Sequence, residues 1–119
     1  MVDSILVTGF VPFAHHERNI SQQVVEHIST EGEFDYKINT SILTVDEKGS
    51  REISDRIHSG EEIGSVLHLG FSENADEILL EKFARNRFQM KIADNAGRME
   101  SSGEISPGQS ILQTNAPIN

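Results

Sequence analysis

The alternation of apolar runs with helical patterns constrains the fold of this 119-residue chain more than any other feature. Residues 4–10, 36–45 and 65–70 are rich in β-branched and aliphatic side chains and predict three strands. Between them, 19–29 and 46–58 place apolar residues at helical spacing behind capping side chains. The order β-α-β-α-β predicts an α/β fold, with helices on the faces of a mostly parallel sheet.

The strand patterns differ in what they predict about burial. Residues 4–10 and 65–70 are nearly continuous apolar runs that end in Gly-Phe or glycine, which is typical of buried parallel strands. Two more extended segments, 78–83 and 88–92, predict further strands, and a hairpin around Asn86-Arg87 is one way to join them. The polar stretch 94–107 predicts a long loop.

Ligand sites in open parallel sheets gather outside the carboxyl ends of the strands. The loops 10–19 and 71–77 follow two of the predicted strands, so we expect them to flank any site. Phe10 and Phe13 stand on either side of Pro12 and could line a small apolar pocket there. Packing of both rings in the core explains the pattern equally well.

Composition excludes several classes of function. The net charge of −9, without a basic cluster, argues against nucleic acid and anionic membranes as partners. The sequence has no cysteine, which excludes disulfides and thiolate ligands within it. No run approaches transmembrane length, and the first residues carry an acid at position 3 without a positive region, so we expect no signal peptide and a cytoplasmic protein.

The histidines do not predict a metal site or a catalytic centre. His15 and His16 are neighbours in a loop, and no third ligand stands at a suitable spacing. His68 lies within an apolar strand and is predicted to be a hydrogen-bonded core residue. We expect neither a metal nor another cofactor.

Glu81 is a carboxylate in the middle of the apolar run 78–83. Burial of an unpaired carboxylate is costly, so this position has two explanations. In the first explanation, Glu81 lies on a solvent-exposed face and pairs with Lys82 or Arg85. In the second, it belongs to a functional site. The local pattern by itself favours the first explanation.

An ordered set of motifs resembles pyroglutamyl peptidase I, also called pyrrolidone-carboxylate peptidase. The matching pieces are Thr8-Gly-Phe-Val-Pro-Phe13, Asn19-Ile-Ser21, Leu67-His-Leu-Gly70, Leu80-Glu-Lys82, Ala84, Asn86, Ile92 and Asp94-Asn-Ala-Gly97. The resemblance covers the chain but only the N-terminal part of a family member. It implies a three-layer α/β/α sandwich around a mixed, mostly parallel sheet, and a cysteine peptidase that removes N-terminal pyroglutamate from peptides with a Cys-His-Glu triad.

The resemblance also implies roles for individual residues. Glu81 matches the triad glutamate, and Phe10, Phe13 and Ile92 match apolar positions of the pocket for the lactam ring. Phe71 stands where the family often has a polar residue that bonds the lactam. The chain departs from the family pattern at Ala14-His15, where the family has Gly-Gly, and the positions of the family's cysteine and histidine lie beyond the matched part.

Two functions follow from these observations. In the first, the sequence is the N-terminal part of a pyroglutamyl peptidase, a single incomplete domain over 1–119 that is inactive alone. In the second, it is a degenerate binding or interaction protein on the same scaffold. A generic acidic domain with chance matches is a third reading. Because missing strands and helices would leave a sheet edge and an apolar face open, we also expect a homo-oligomer.

Overall fold

A computed structural model describes residues 4–117 of the chain. The chain divides into two compact units. The first contains the chain up to Phe71 together with Asp94–Arg98, and the second contains Ser72–Ala93 and the chain from Met99 onwards. The acid at position 3 lies outside the described residues. No helix within 4–117 is long and apolar enough to cross a lipid bilayer.

The first unit contains two helices whose N-caps were predicted from the sequence. Helix α1 spans Ile20–Glu31, and the side chain of Asn19 caps it by accepting the backbone N–H of Ser21 at 3.0 Å. Helix α2 spans Glu47–His58, and Asp46 caps it by accepting the N–H of Gly49 at 2.7 Å. Both predicted helices are confirmed because capping depends on residues that are adjacent in sequence.

The first unit also contains a three-stranded parallel sheet. Its strands are β1 (Ser4–Phe10), β2 (Lys37–Leu43) and β3 (Ser65–His68), in the spatial order β2-β1-β3. The predicted second strand, 36–45, is therefore slightly shorter in the structure. The parallel strands joined through helices confirm the predicted α/β fold.

The two helices cover opposite faces of this sheet. Gly9 approaches α1 so closely that a Cβ atom there would lie 2.5 Å from the carbonyl oxygen of Ser21. The adjacent residue, Phe10, points to the other face and packs against the buried cluster of Leu6, Leu43 and Ile53, the last of which belongs to α2. Since successive strand side chains point to opposite faces, the unit has three layers, α1, sheet and α2.

The prediction that the third strand is buried is wrong. All four residues of β3 are exposed, although β3 pairs with β1 along its length. Helix α1 contacts β1 and β2, helix α2 contacts β2, and neither contacts β3. No helix therefore packs on β3, although its apolar sequence predicted a strand covered on both faces. On α2, the apolar residue Ile53 is buried, but Ile57 is exposed.

The second unit contains two small antiparallel pairs instead of the predicted hairpin. Strand β4 (Phe83–Arg85) pairs with β7 (Ile111–Gln113), and β5 (Phe88–Gln89) pairs with β6 (Ser102–Gly103). Residues 78–82, predicted as strand, form none, and the predicted loop 94–107 contains β6.

The side chain of Asn86 explains why no hairpin forms around Asn86-Arg87. Its Oδ1 accepts the backbone N–H groups of Ile105 and Ser106, each at 3.1 Å, and its Nδ2 donates to the carbonyl of Ser106 at 2.6 Å. The backbone N–H of Asn86 also donates to the carbonyl of Ser110 at 2.8 Å. Asn86 is thus paired with a distant segment rather than used as a turn between two adjacent strands.

Candidate functional site

The strand order indicates where a ligand site would lie, at the carboxyl end of the sheet. The chain passes from β1 to β2 on one side and later places β3 on the other side of β1. In doubly wound sheets, ligands bind where the connections diverge in this way. The segments that follow β1 and β3, beginning at Val11 and Leu69, therefore border the candidate site.

Asn19 and Ser21 fix the chain at the end of β1. The Ser21 hydroxyl accepts the backbone N–H of Phe10 at 2.9 Å and donates to Oδ1 of Asn19 at 2.6 Å. The Asn19 amide group donates to the carbonyl of Val11 at 3.2 Å. Both polar side chains are buried. Because each bond satisfies a group that would otherwise be buried without a partner, the loop after β1 is held in one position.

The aromatic residues predicted for the pocket lie in the first unit. Phe10 is half-buried and packs partly on the core, as the alternative explanation of its pattern required. Phe13 is half-buried, and its carbonyl accepts the N–H of His16 at 3.3 Å. The ring of His16 contacts Phe71 edge to face, with 5.1 Å between ring centroids, and Phe71 is 44% exposed. The end of the sheet thus carries three phenylalanine rings and the imidazole of His16.

The segment Asp94–Arg98 is also attached to this end of the sheet. Oδ1 of Asn95 accepts the N–H of Val45 at 2.5 Å, and the backbone N–H of Asn95 donates to the carbonyl of Val45 at 2.9 Å. Its Nδ2 reaches the carbonyl of Pro12 at 3.4 Å. Arg98 forms an ion pair with Glu47 at 3.2 Å. Asn95 therefore joins the ends of two strands.

His68 lies at the end of β3 and contacts β1. Its Nδ1 is 2.5 Å from the hydroxyl oxygen of Thr8, its register partner, and Thr8 is fully buried. His68 is exposed as a residue, contrary to the predicted core position, but it has a hydrogen-bond partner, as predicted for a core histidine. Partial burial of the imidazole lowers the pKa of His68, because desolvation disfavours the charged form.

The remaining two predicted site residues, Glu81 and Ile92, belong to the second unit. Both are exposed. Among residues 4–117, no hydrogen bond or ion pair joins Glu81 to another side chain or to the backbone. The alternative pairing with Lys82 or Arg85 is therefore absent from this part of the chain, and the Lys82 ammonium instead lies 5.9 Å from the centroid of the Phe83 ring. The site role of Glu81 stays a prediction.

The sequence profile of the pyroglutamyl peptidase family matches residues 3–119. This match covers nearly the whole chain. The chain belongs to the pyroglutamyl peptidase family.

Individual relatives agree with this assignment. The chain is 27% identical to the pyrrolidone-carboxylate peptidase of Deinococcus radiodurans over 105 residues, which are 87% of this chain and 48% of the relative. It is 24% identical to the enzyme of that name from Pyrococcus furiosus, over 87% of this chain and 50% of the relative. The chain thus spans about half the length of the curated relatives it matches.

Solved structures show the same partial coverage. The crystal structure of pyrrolidone carboxyl peptidase from Fervidobacterium islandicum AW-1 matches with a TM-score of 0.83 and 30% identity, over 92% of this chain and 53% of that chain. The Thermus thermophilus structure matches with a TM-score of 0.80 and 33% identity, over 95% of this chain and 58% of that one. This family member therefore has the α/β arrangement of the matched part.

Two features of the candidate site of this pyroglutamyl peptidase homologue were not evident in the sequence. The imidazole of His16 lies beside Phe71, although 55 residues separate them, and no local pattern links the two. Asn95 is part of a motif that carried the resemblance, but its bonds to Val45 and Pro12 are long-range contacts. In contrast, a cap at the start of the segment 19–29 was evident, because the first partner of Asn19 is only two residues away.

Proposed function

We propose that this chain supplies the N-terminal part of a pyroglutamyl peptidase, which removes pyroglutamate from the N-terminus of peptides. The observation that carries the proposal is the family match over residues 3–119. The ordered end of the sheet, with Phe10, Phe13 and Phe71 near the ends of β1 and β3, supports it as an apolar surface for a lactam ring.

The chemistry assigns Glu81 a specific role. In a cysteine peptidase, a thiolate attacks the carbonyl carbon, an imidazole transfers the proton, and a carboxylate orients the imidazole. Glu81 stands at the position of the orienting carboxylate in the family pattern. Its carboxylate has no partner among the described residues, which is consistent with a role that a histidine outside this part of the fold would complete. The 119 residues contain no cysteine, so the nucleophile must also come from outside them.

The first experiment measures hydrolysis of a fluorogenic pyroglutamyl amide by the 119-residue chain alone. We expect no turnover above the uncatalysed rate, because removing the nucleophile of a triad leaves only residual catalysis. Turnover by the purified chain that depends on Glu81 would contradict the proposal.

The second experiment restores the missing part of the fold. The chain is fused to the segment of the Thermus thermophilus peptidase that lies beyond its match, and the same substrate is used. We expect turnover, and we expect Glu81→Gln to lower kcat by about 10²- to 10⁴-fold because the imidazole loses its orienting carboxylate. Glu77→Gln is the matched control, since Glu77 is another exposed glutamate of the same unit. Equal activity of the two variants would exclude the triad role of Glu81.

A non-catalytic binding protein is the second candidate function. The exposed ring of Phe71 favours it, since it stands where the family often has a polar residue for the lactam. A folded fusion that binds a pyroglutamyl peptide without hydrolysing it, measured by isothermal titration calorimetry, would support this candidate over the first.

A further inference from the structure

A tight turn reverses the chain directly after Phe13. The backbone N–H of His16 donates to the carbonyl of Phe13 at 3.3 Å, and Ala14 within this turn has φ +59°. A positive φ at a residue with a Cβ atom is uncommon and persists where the surrounding structure holds it. After this turn, His15 is exposed, whereas His16 is half-buried. The turn therefore places the second imidazole, and not the first, against the protein.

The imidazole of His16 contacts two other rings. Its centroid lies 4.2 Å from that of His15, with 33° between the ring planes, and 5.1 Å from that of Phe71, with 78° between the planes. Tilted and edge-to-face contacts of this kind are favourable arrangements of aromatic rings and restrict their orientation. His16 belongs to the segment after β1 and Phe71 to the segment after β3. Their contact therefore joins the two segments that border the candidate site.

A lactam ring requires more than an apolar surface. It has an N–H group that donates a hydrogen bond and a carbonyl group that accepts one. The rings of Phe10, Phe13 and Phe71 contact the CH₂ groups of such a ring but bond neither polar group. Burial of an amide without a hydrogen-bond partner is costly and lowers affinity. The proposed surface therefore needs a polar side chain beside the phenyl rings.

His16 is the polar side chain best placed for this role. Asn19 and Ser21 bond to each other and to the backbone at the end of β1. Both polar atoms of the Asn95 side chain lie against backbone groups. An imidazole has two nitrogen atoms on different edges of its ring, so it can bond the protein at one and a ligand at the other. Among the described residues, His16 is the histidine whose ring contacts Phe71.

We propose that His16 determines specificity for the lactam: its imidazole donates a hydrogen bond to the ring carbonyl of an N-terminal pyroglutamyl group that packs on Phe71. This inference rests on the proposed function. The phenyl ring contacts the CH₂ groups of the lactam, and the imidazole distinguishes the lactam from an apolar ring of the same size. A site that hydrogen-bonds its ligand discriminates against analogues that lack the bonded group.

An NMR titration compares two small ligands that differ only in the lactam group. Pyroglutamamide has the ring N–H and carbonyl groups, whereas cyclopentanecarboxamide has CH₂ groups at both positions. The titrations use the 119-residue chain and its fusion to the Thermus thermophilus segment. We expect pyroglutamamide to shift the ring C–H resonances of His16. Those of His27, an exposed histidine of α1 that pairs with Glu31, should stay unchanged. The absence of a shift at His16 in both proteins would overturn the proposal.

His16→Phe in the fusion separates the hydrogen bond from the ring contact, because phenylalanine keeps an aromatic ring beside Phe71. We expect the affinity for pyroglutamamide to decrease about tenfold, as for the loss of one hydrogen bond, and that for cyclopentanecarboxamide to change less than about twofold. His27→Phe is the matched control and should change neither affinity. An equal loss for both ligands would assign His16 a structural role and overturn the proposal. The ratio of the two affinities does not depend on the folded fraction of the sample, so partial unfolding does not affect the test.

Lactam recognition and catalysis have separate readouts in these experiments. Loss of discrimination in His16→Phe, in a fusion that has no turnover, would retain the role of His16 and reject the proposed peptidase function. Turnover by the fusion, with the same two affinities in the wild type and in His16→Phe, would retain that function and reject the role of His16.

Discussion

The hydroxyl oxygen of Thr8 and Nδ1 of His68 lie 2.5 Å apart and join β1 to β3 through their side chains. Thr8 is fully buried, whereas His68 is on the strand that no helix covers. The contact therefore connects the best-protected strand of the sheet to the least protected one.

Stability should decrease in acid partly because of His68. Burial lowers the pKa of His68 in the folded chain below its ordinary value of 6.5, so the unfolded chain binds the proton more readily. The stabilisation is fully present above pH 6.5 and is lost as the pH falls from 6.5 through the lower folded pKa. Urea denaturation at pH values from 7.5 down to about 5 measures this effect. The free energy of unfolding should decrease less over this range for His68→Gln than for the wild type.

His58→Gln is the matched control for this measurement, because His58 is exposed on α2. The free energy of unfolding of this variant should decrease with falling pH as much as that of the wild type. An unchanged pH dependence in His68→Gln would assign the acid sensitivity to other groups.

Ser21→Ala should destabilise the chain by about 1–3 kcal/mol, since it leaves the N–H of Phe10 and one bond of Asn19 unsatisfied in a buried position. The free energy of unfolding from urea titration measures this effect. Ser29→Ala removes an exposed hydroxyl from the same helix and should cost less than about 0.5 kcal/mol. Similar losses in the two variants would show that the Asn19-Ser21 network does not hold the end of β1.

Ala14→Gly should stabilise the chain slightly. Ala14 has φ +59°, a left-handed conformation that costs a residue with a Cβ atom about 1–2 kcal/mol. Glycine removes that strain but adds about 0.4–1 kcal/mol of unfolded-state entropy, so the net gain is about 0.5–1 kcal/mol. A rise in the urea midpoint measures the gain. Ala96→Gly, at a residue without positive φ, should lower the midpoint, and equal shifts would exclude strain as the cause.

The 119-residue chain alone should self-associate through Ile78–Leu80. These three residues are 95%, 60% and 69% exposed, and contiguous apolar surface of this kind promotes association. Light scattering should give a mass above 13.2 kDa that decreases in the variant Ile78→Ser/Leu80→Ser. Ile57→Ser, at a single exposed apolar residue on α2, should leave the mass unchanged. A monodisperse monomer for the wild type would contradict this prediction.

Much of the first unit could be predicted because its signals are local. The caps at Asn19 and Asp46 bond to residues two and three positions later, and the apolar runs locate β1 and β2. The family motifs also directed attention to the carboxyl end of the sheet. They could not indicate that Phe10 packs on the core cluster or that the ring of His16 lies beside Phe71, since both are contacts between distant segments.

The second unit could not be predicted for the opposite reason. Residues 78–92 have the composition of two strands, but their pairing depends on segments far along the chain, as Phe83 with Gln113 and Phe88 with Gly103. Short apolar runs do not specify their partners, and the side chain of Asn86 favours a distant segment over a hairpin.

The sequence by itself determined the helices, the first two strands and the family, because caps, periodicity and ordered motifs are encoded in adjacent residues. Only the tertiary structure decided that β3 lies at an open edge, that Asn95 joins the ends of two strands, and that Glu81 is exposed. Burial and pairing depend on which distant segments are present to cover an element. An apolar strand sequence indicates that both faces of the strand need to be covered, but only the tertiary structure shows whether other elements cover them.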